Sequence, residues 1–168
     1  MKKAIKLTLA VVFVMGATSL FAQQKFGRIN TQEIIVGMPE TKEMQTNIEA
    51  YSKDLQESME NIVVEYNNKY QEFNKNFSTM SDAVRQLKEK ELNDLKTRYD
   101  EFVQVSQQDM QKKQGELLEP IIVKAQDAVK EVSKAGGYTV VYDTSVNAVA
   151  YFDEAVVTDI LPAVKTKL

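Results

Sequence analysis

Ile48 to Asp82 reads IEAYSKDLQESMENIVVEYNNKYQEFNKNFSTMSD. Its apolar residues decide the fold. Ile48, Tyr51, Leu55, Met59, Ile62, Tyr66, Tyr70, Phe73, Phe77 and Met80 recur in steps of three and four. Residues spaced this way share one face of an α-helix, so the stretch reads as a helix with a single seam for a partner helix. No Pro or Gly occurs between Pro39 and Gly115, a run far beyond the usual globular helix. The chemistry changes once within it. Asn74, Asn76, Ser78, Thr79, Ser81 and Asp82 cluster where the apolar pattern stops, and Ser81 or Asp82 can cap a second helix. We therefore expect a reversal near residues 76–82 and an antiparallel helical hairpin.

Working outward, Met38-Pro39-Glu40 opens the first helix. Proline suits the first helical position, and Glu40 and Glu43 complement the helix dipole. The return helix carries Val84, Leu87, Leu95, Tyr99, Phe102 and Val105 as its expected seam, with Leu92 to one side. The seam then turns polar: Gln104, Gln107, Gln108, Gln111 and Gln114 surround only Met110. Local stability is expected to be lowest there. Apolar pattern resumes at Leu117, and Pro120 is expected to kink the helix. Gly136-Gly137 ends it. Beyond the hairpin, Lys25–Asn30, Tyr138–Asp143 and Val149–Asp153 read as strands. Thr31 is the expected cap of a helical turn that Gly37 stops, Thr144–Asn147 reads as a turn, and a short last helix is expected from Pro162.

The chain starts as an export signal does. Lys2, Lys3 and Lys6 precede an apolar run, Leu7 to Leu20, and the small Ala22 precedes the expected cut. The run is too short for a stable membrane span. The expected organisation is a signal peptide over residues 1–22 and one domain over 23–168. Its body would comprise 23–39 and 119–168, and its helical arm 40–118. Net charge is −3 over the whole chain; losing the three leader lysines takes it to −6. An acidic chain lacks the basic footprint of a general nucleic-acid binder.

Composition excludes several chemistries. There is no Cys and no His, so Ser-His and Cys-His nucleophiles are impossible and zinc chemistry is not expected. No Gly-rich phosphate loop is present. Glu89/Glu91 and Asp100/Glu101 are paired acids, but they lie among lysines and arginines on a solvated helix and read as surface charge. No enzyme and no cofactor are expected.

Two or three short strands leave edges that one chain does not satisfy. We expect a trimer whose body uses Phe26, Ile29, Tyr138, Val140, Val141, Val149 and Tyr151. On the arm, Phe73, Phe77, Met80, Lys75 and Arg85 cluster near the reversal and are the candidate partner contacts. Met is favoured on promiscuous surfaces because it repacks easily. Aromatics at helical spacing more often pack in the seam, so Phe77 and Met80 carry the expectation.

Lys25-Phe-Gly-Arg-Ile-Asn30, Met38-Pro-Glu40, Glu119-Pro-Ile-Ile122, Gly137-Tyr-Thr-Val-Val-Tyr-Asp143 and Ala150-Tyr-Phe-Asp153 occur in order around the hairpin. In this order and spacing the chain resembles the Skp/OmpH family of periplasmic chaperones over essentially its whole mature length. The resemblance implies a mostly helical α+β fold: a small β body with a long helical hairpin, assembled into a jellyfish-like homotrimer. It also implies ATP-independent holding of unfolded outer-membrane proteins in a cavity between the arms. The acidic charge departs from the basic family pattern, so no lipopolysaccharide site is carried over. Contact of the arm tips with a membrane rests only on their mild local positive charge. The competing reading is a structural envelope coiled coil or adaptor, which has no use for the strand-turn-strand ending.

Overall fold

The computed structural model describes residues 24–168; the expected signal peptide and its cleavage point lie outside them. The elements run β1 (Lys25–Ile29), α1 (Thr31–Gly37), α2 (Pro39–Asn76), α3 (Asp82–Ala135), β2 (Tyr138–Asp143), β3 (Val157–Asp159) and α4 (Leu161–Lys165). This is a mostly helical α+β fold. The chain divides into two compact units. One is Ile35–Ala125; the other joins the described residues up to Ile34 with Gln126–Leu168.

In the first unit, α2 starts where Pro39 occupies its first turn, after the extended Met38. It ends at Asn76, and the reversal spans residues 77–81. The turn is fixed locally. The Thr79 hydroxyl donates to the Asn76 carbonyl at 2.9 Å. Ser81 caps α3: its Oγ accepts from the Val84 N–H at 3.4 Å, and its carbonyl from the Arg85 N–H at 2.9 Å. Helix α3 is a single helix through Pro120. The proline's missing N–H leaves the Glu116 carbonyl without its helical donor.

The seam on α2 follows the expected spacing from Ile48 to Tyr66 and at Phe73, with Ile62 and Phe73 buried along it, but Tyr70 and Phe77 are exposed. On α3 it does not. Leu92 and Leu95 are 8% and 6% exposed, whereas Leu87 is 57% exposed and Val84 and Val105 are also exposed. The inward line runs Arg85, Lys88, Leu92, Leu95, Tyr99, Phe102, Ser106, Met110. Its first two members are cations, each only about one-third exposed or less: Arg85 pairs with Asp82 and Lys88 with Glu91. Apolar identity alone therefore points to the wrong face there.

In the second unit the sheet order is β2-β1-β3, and β1 pairs parallel with both neighbours. Gly27 and Ile29 of β1 are buried, between half-buried Phe26 and Arg28. Gly27 permits the close approach: a Cβ there would lie 3.2 Å from both the Tyr138 ring and Val141, and 3.3 Å from Ile160. Gly137 takes φ +68°, the left-handed conformation that lets α3 stop and β2 begin. Ile29, Ile34, Ala128, Val157, Ile160 and Val164 form the core.

Two local expectations are corrected here. Val149–Asp153 is not a strand. Both sides of β1 are occupied, and the third strand is Val157–Asp159, from the stretch that reads as the lead-in to the last helix. The Asp153 carbonyl accepts from the N–H groups of Val156 and Val157 at 3.0 Å each, turning the chain into β3. The cap of α1 is Asn30 rather than Thr31. Asn30 Oδ1 accepts from the Glu33 N–H at 3.1 Å, while the Thr31 hydroxyl donates to Asp143.

Candidate functional site

At the hairpin reversal, aromatic rings and charges form one cluster. Phe73 of α2 and Phe77, the residue that caps its end, sit one turn apart, and their rings meet edge to face at 5.4 Å. Arg85, on the first turn of α3, places its guanidinium 4.4 Å from the Phe77 ring centre and 3.4 Å from the Asp82 carboxylate. Phe73 is buried, Phe77 is 44% exposed, Met80 is half-buried and Lys75 is exposed. Of the expected tip residues, Phe73, Phe77 and Arg85 come together, in different roles. Phe73 packs in the seam, Phe77 presents one face, and Arg85 is tied to both a ring and an acid. Of the five, Phe77, Met80 and Lys75 offer the free surface.

Ion pairs bind the two helices on their flanks. Glu91 accepts from Lys69 at 3.2 Å and from Lys88 at 3.3 Å. These bonds, that from Lys69 first, hold its carboxyl below the usual range. Arg98 pairs with Glu65 at 2.8 Å. Lys124 donates to Glu40 near the start of α2, and this bond lowers the Glu40 carboxyl likewise. All are partly exposed, so each contributes little stability singly.

Between these pairs the helices part into open grooves that sequence reasoning missed. One of about 350 Å³ is lined by Ile62, Val63, Tyr66, Leu95 and Tyr99 among others. A second, of about 660 Å³, is lined by Leu55, Met59, Val103, Ser106, Gln107 and Met110 among others. The second lies along the glutamine-rich stretch. There the seam offers a serine and amides in place of aliphatic side chains. The signal was present in that composition, but the residues that face inward were not legible. Val63, Val64, Tyr70, Leu87 and Val105 add exposed apolar surface on the same pair of helices.

In the sheet unit, the Phe26 ring stacks on Tyr142 at 6.4 Å. Lys25 lies 4.2 Å from the Tyr138 ring centre and Arg28 5.6 Å from that of Phe152. Asp143 gathers three bonds: from the Thr31 hydroxyl at 2.5 Å, the Thr31 N–H at 3.3 Å and the Ser145 N–H at 2.9 Å. Burial opposes its charge, but these bonds outweigh it and leave the carboxyl below its usual range. Of the residues expected in an assembly face, Ile29 packs in the chain's own core, and Phe26, Tyr138, Val141 and Val149 are half-buried. Val140 is 40% and Tyr151 83% exposed. Among the described residues no acid cluster forms a metal-binding group, and no helix is long and apolar enough to cross a membrane.

Residues 25–168 match the family described as "Outer membrane protein (OmpH-like)". The chain is similar to the "Chaperone protein Skp" of Yersinia enterocolitica, at 28% identity over 153 residues, covering 90% of this chain and 92% of the relative. It is also similar to the protein of that name from Pectobacterium atrosepticum, at 28% over 152 residues, covering 89% and 91%. The Vibrio cholerae protein of that name is 27% identical over 132 residues, 78% of each chain. With its hairpin of open grooves and its three-stranded parallel sheet, the chain belongs to the OmpH-like family, a family of chaperones and not of enzymes.

Proposed function

We propose that the protein is an ATP-independent holding chaperone of the periplasm that assembles as a homotrimer. Its clients are unfolded outer-membrane proteins, kept from aggregating between the helical arms. One observation carries the reading. A two-helix arm displays half-buried and exposed apolar side chains along most of its length, including Phe77, Val64, Tyr70 and Leu87. Such surface is costly to leave in water and suits many weak contacts with an unfolded chain. The sheet supports a trimer: β1 is flanked on both sides, β2 and β3 each keep an outer edge, and Val140 of β2 and Tyr151 are exposed.

Passive holding relies on apolar and hydrogen-bonding contacts, because the arm carries both charge signs. Raising salt from about 0.05 to 0.5 M shortens the Debye length from roughly 14 to 4 Å and should weaken holding only modestly. The test is suppression of aggregation of an unfolded outer-membrane β-barrel protein without ATP. Replacing Phe77 and Met80 together with Ser should reduce suppression more than replacing Lys75 and Arg85 with Gln. Loss in the charge variant alone would make the tip an electrostatic device. Absence of suppression by the wild-type protein would remove the chaperone reading.

A further inference from the structure

The chain has no Cys, His or Trp. Thioether sulfurs are therefore the side chains that a two-electron oxidant modifies most readily. The methionines among the described residues are Met38, Met44, Met59, Met80 and Met110. Met38 is 3% exposed. Met59 on α2 and Met110 on α3 are half-buried, and they line the same 660 Å³ groove, which is open to solvent. Ser106 lines it too. It is 8% exposed, and its Oγ is buried without a hydrogen-bond partner. Ser52, Gln56, Gln107 and Gln111 complete a lining in which Leu55, Met59, Val103 and Met110 supply the large apolar side chains. Oxidising both methionines turns two of those four into polar, strongly accepting groups. A sulfoxide buried away from donors would be costly; here two serine hydroxyls and three side-chain amides line the same space.

We propose that Met59 and Met110 form a reversible, oxidation-sensitive point in the helix pair, where sulfoxide formation loosens the seam while the rest of the chain stays folded. The oxidant is of the peroxide class. The sulfur lone pair attacks one peroxide oxygen and the O–O bond breaks. The second oxygen takes up the proton and leaves as water. Sulfur is oxidised by two electrons to S=O, and hydrogen peroxide is reduced to water. The product is polar and hydrated, and it no longer drives the two helices together at this level. Reduction of the sulfoxide restores the thioether.

The experiment uses the full mature chain and hydrogen peroxide, with peptide mass mapping and hydrogen exchange; no client is needed. Met59 and Met110 should oxidise about ten times faster than Met38, because susceptibility follows exposure. Exchange in residues 52–59 and 103–111 should then speed up about fivefold or more, as a local opening would produce, with 138–143 and 157–165 unchanged. Methionine sulfoxide reductases with dithiothreitol should reverse the change. M59L/M110L conserves volume and should fold normally; under the same peroxide it should show no acceleration. Resistance of Met59 and Met110 to oxidation would overturn the proposal. So would unchanged exchange after their full oxidation, or equal acceleration in M59L/M110L.

Discussion

Leu92 and Leu87 of α3 differ by five positions, and the structure gives them opposite surroundings. Leu92 is 8% exposed and Leu87 57%. Truncating each to Ala measures which face of α3 holds the hairpin together. A fully buried leucine contributes about 1.5–3 kcal/mol by transfer, and Leu→Ala in an enclosed core costs about 2–5 kcal/mol once the cavity is included. A two-helix seam has solvent on both flanks, so water can partly fill the space left. Leu92→Ala should therefore cost about 2–3 kcal/mol, the low end of that range. Leu95→Ala, at 6% exposure, should match it. Leu87→Ala removes a side chain that is already mostly wet and should cost under about 1 kcal/mol, partly offset by the higher helix propensity of Ala. The assay is urea unfolding followed by far-ultraviolet circular dichroism, at one fixed protein concentration for all variants. Equal losses at Leu87 and Leu92, or a larger loss at Leu87, would refute the inward line on α3.

Asp143→Asn should cost about 1–2 kcal/mol at neutral pH, because an amide accepts the Thr31 and Ser145 bonds less well than a carboxylate. The folded carboxyl is lowered, so its contribution is complete above the unfolded value and fades as pH falls through the folded one, below about pH 4. A melting series from pH 7 to 3 should show a shallower acid decline for Asp143→Asn than for wild type; parallel declines would rule this linkage out. Gly27→Ala should destabilise by about 1–3 kcal/mol through overpacking against Tyr138, Val141 and Ile160, read by thermal denaturation. Val140→Asp should dissociate the proposed trimer, since a charge would be buried without a partner. Light scattering decides: a wild-type monomer at micromolar concentration contradicts the assembly, and an intact Val140→Asp trimer contradicts this face.

The hairpin was legible because its signals are local. Pro39, the polar cluster at 76–82 and Gly136-Gly137 each act within a turn of the boundary they set. What escaped depends on partners distant in sequence. Val157–Asp159 has only three residues and counts as a strand because β1 lies beside it. Val149–Asp153 has the apolar and aromatic composition of a strand but finds no free side of β1 in the single chain. Asn30 and Thr31 are both good caps. Asp143, more than a hundred residues away, takes the Thr31 hydroxyl and so leaves the capping to Asn30. At the site, the 3–4 spacing placed Phe73 and Phe77 on one face but not which of them would be covered. The grooves escaped because they depend on how far apart two helices stand.

Among the described elements, the strand at the centre of the sheet leaves the ribosome before the long hairpin, and both of its neighbours leave after it. Thr31 and the Asp143 that binds it are 112 residues apart, whereas the hairpin closes through contacts as near as Lys69 and Glu91, 22 apart. Short closures cost less chain entropy and form sooner. The arm should therefore zip up from its reversal, toward Glu40 and Lys124 at 84 residues' separation. Until that happens β1 waits as an unpaired edge. A chain emerging amino-terminus first thus spends its early life with a docking strand and no dock. The helical hairpin, whatever it later holds, first serves to bring the two ends of its own chain within reach of each other.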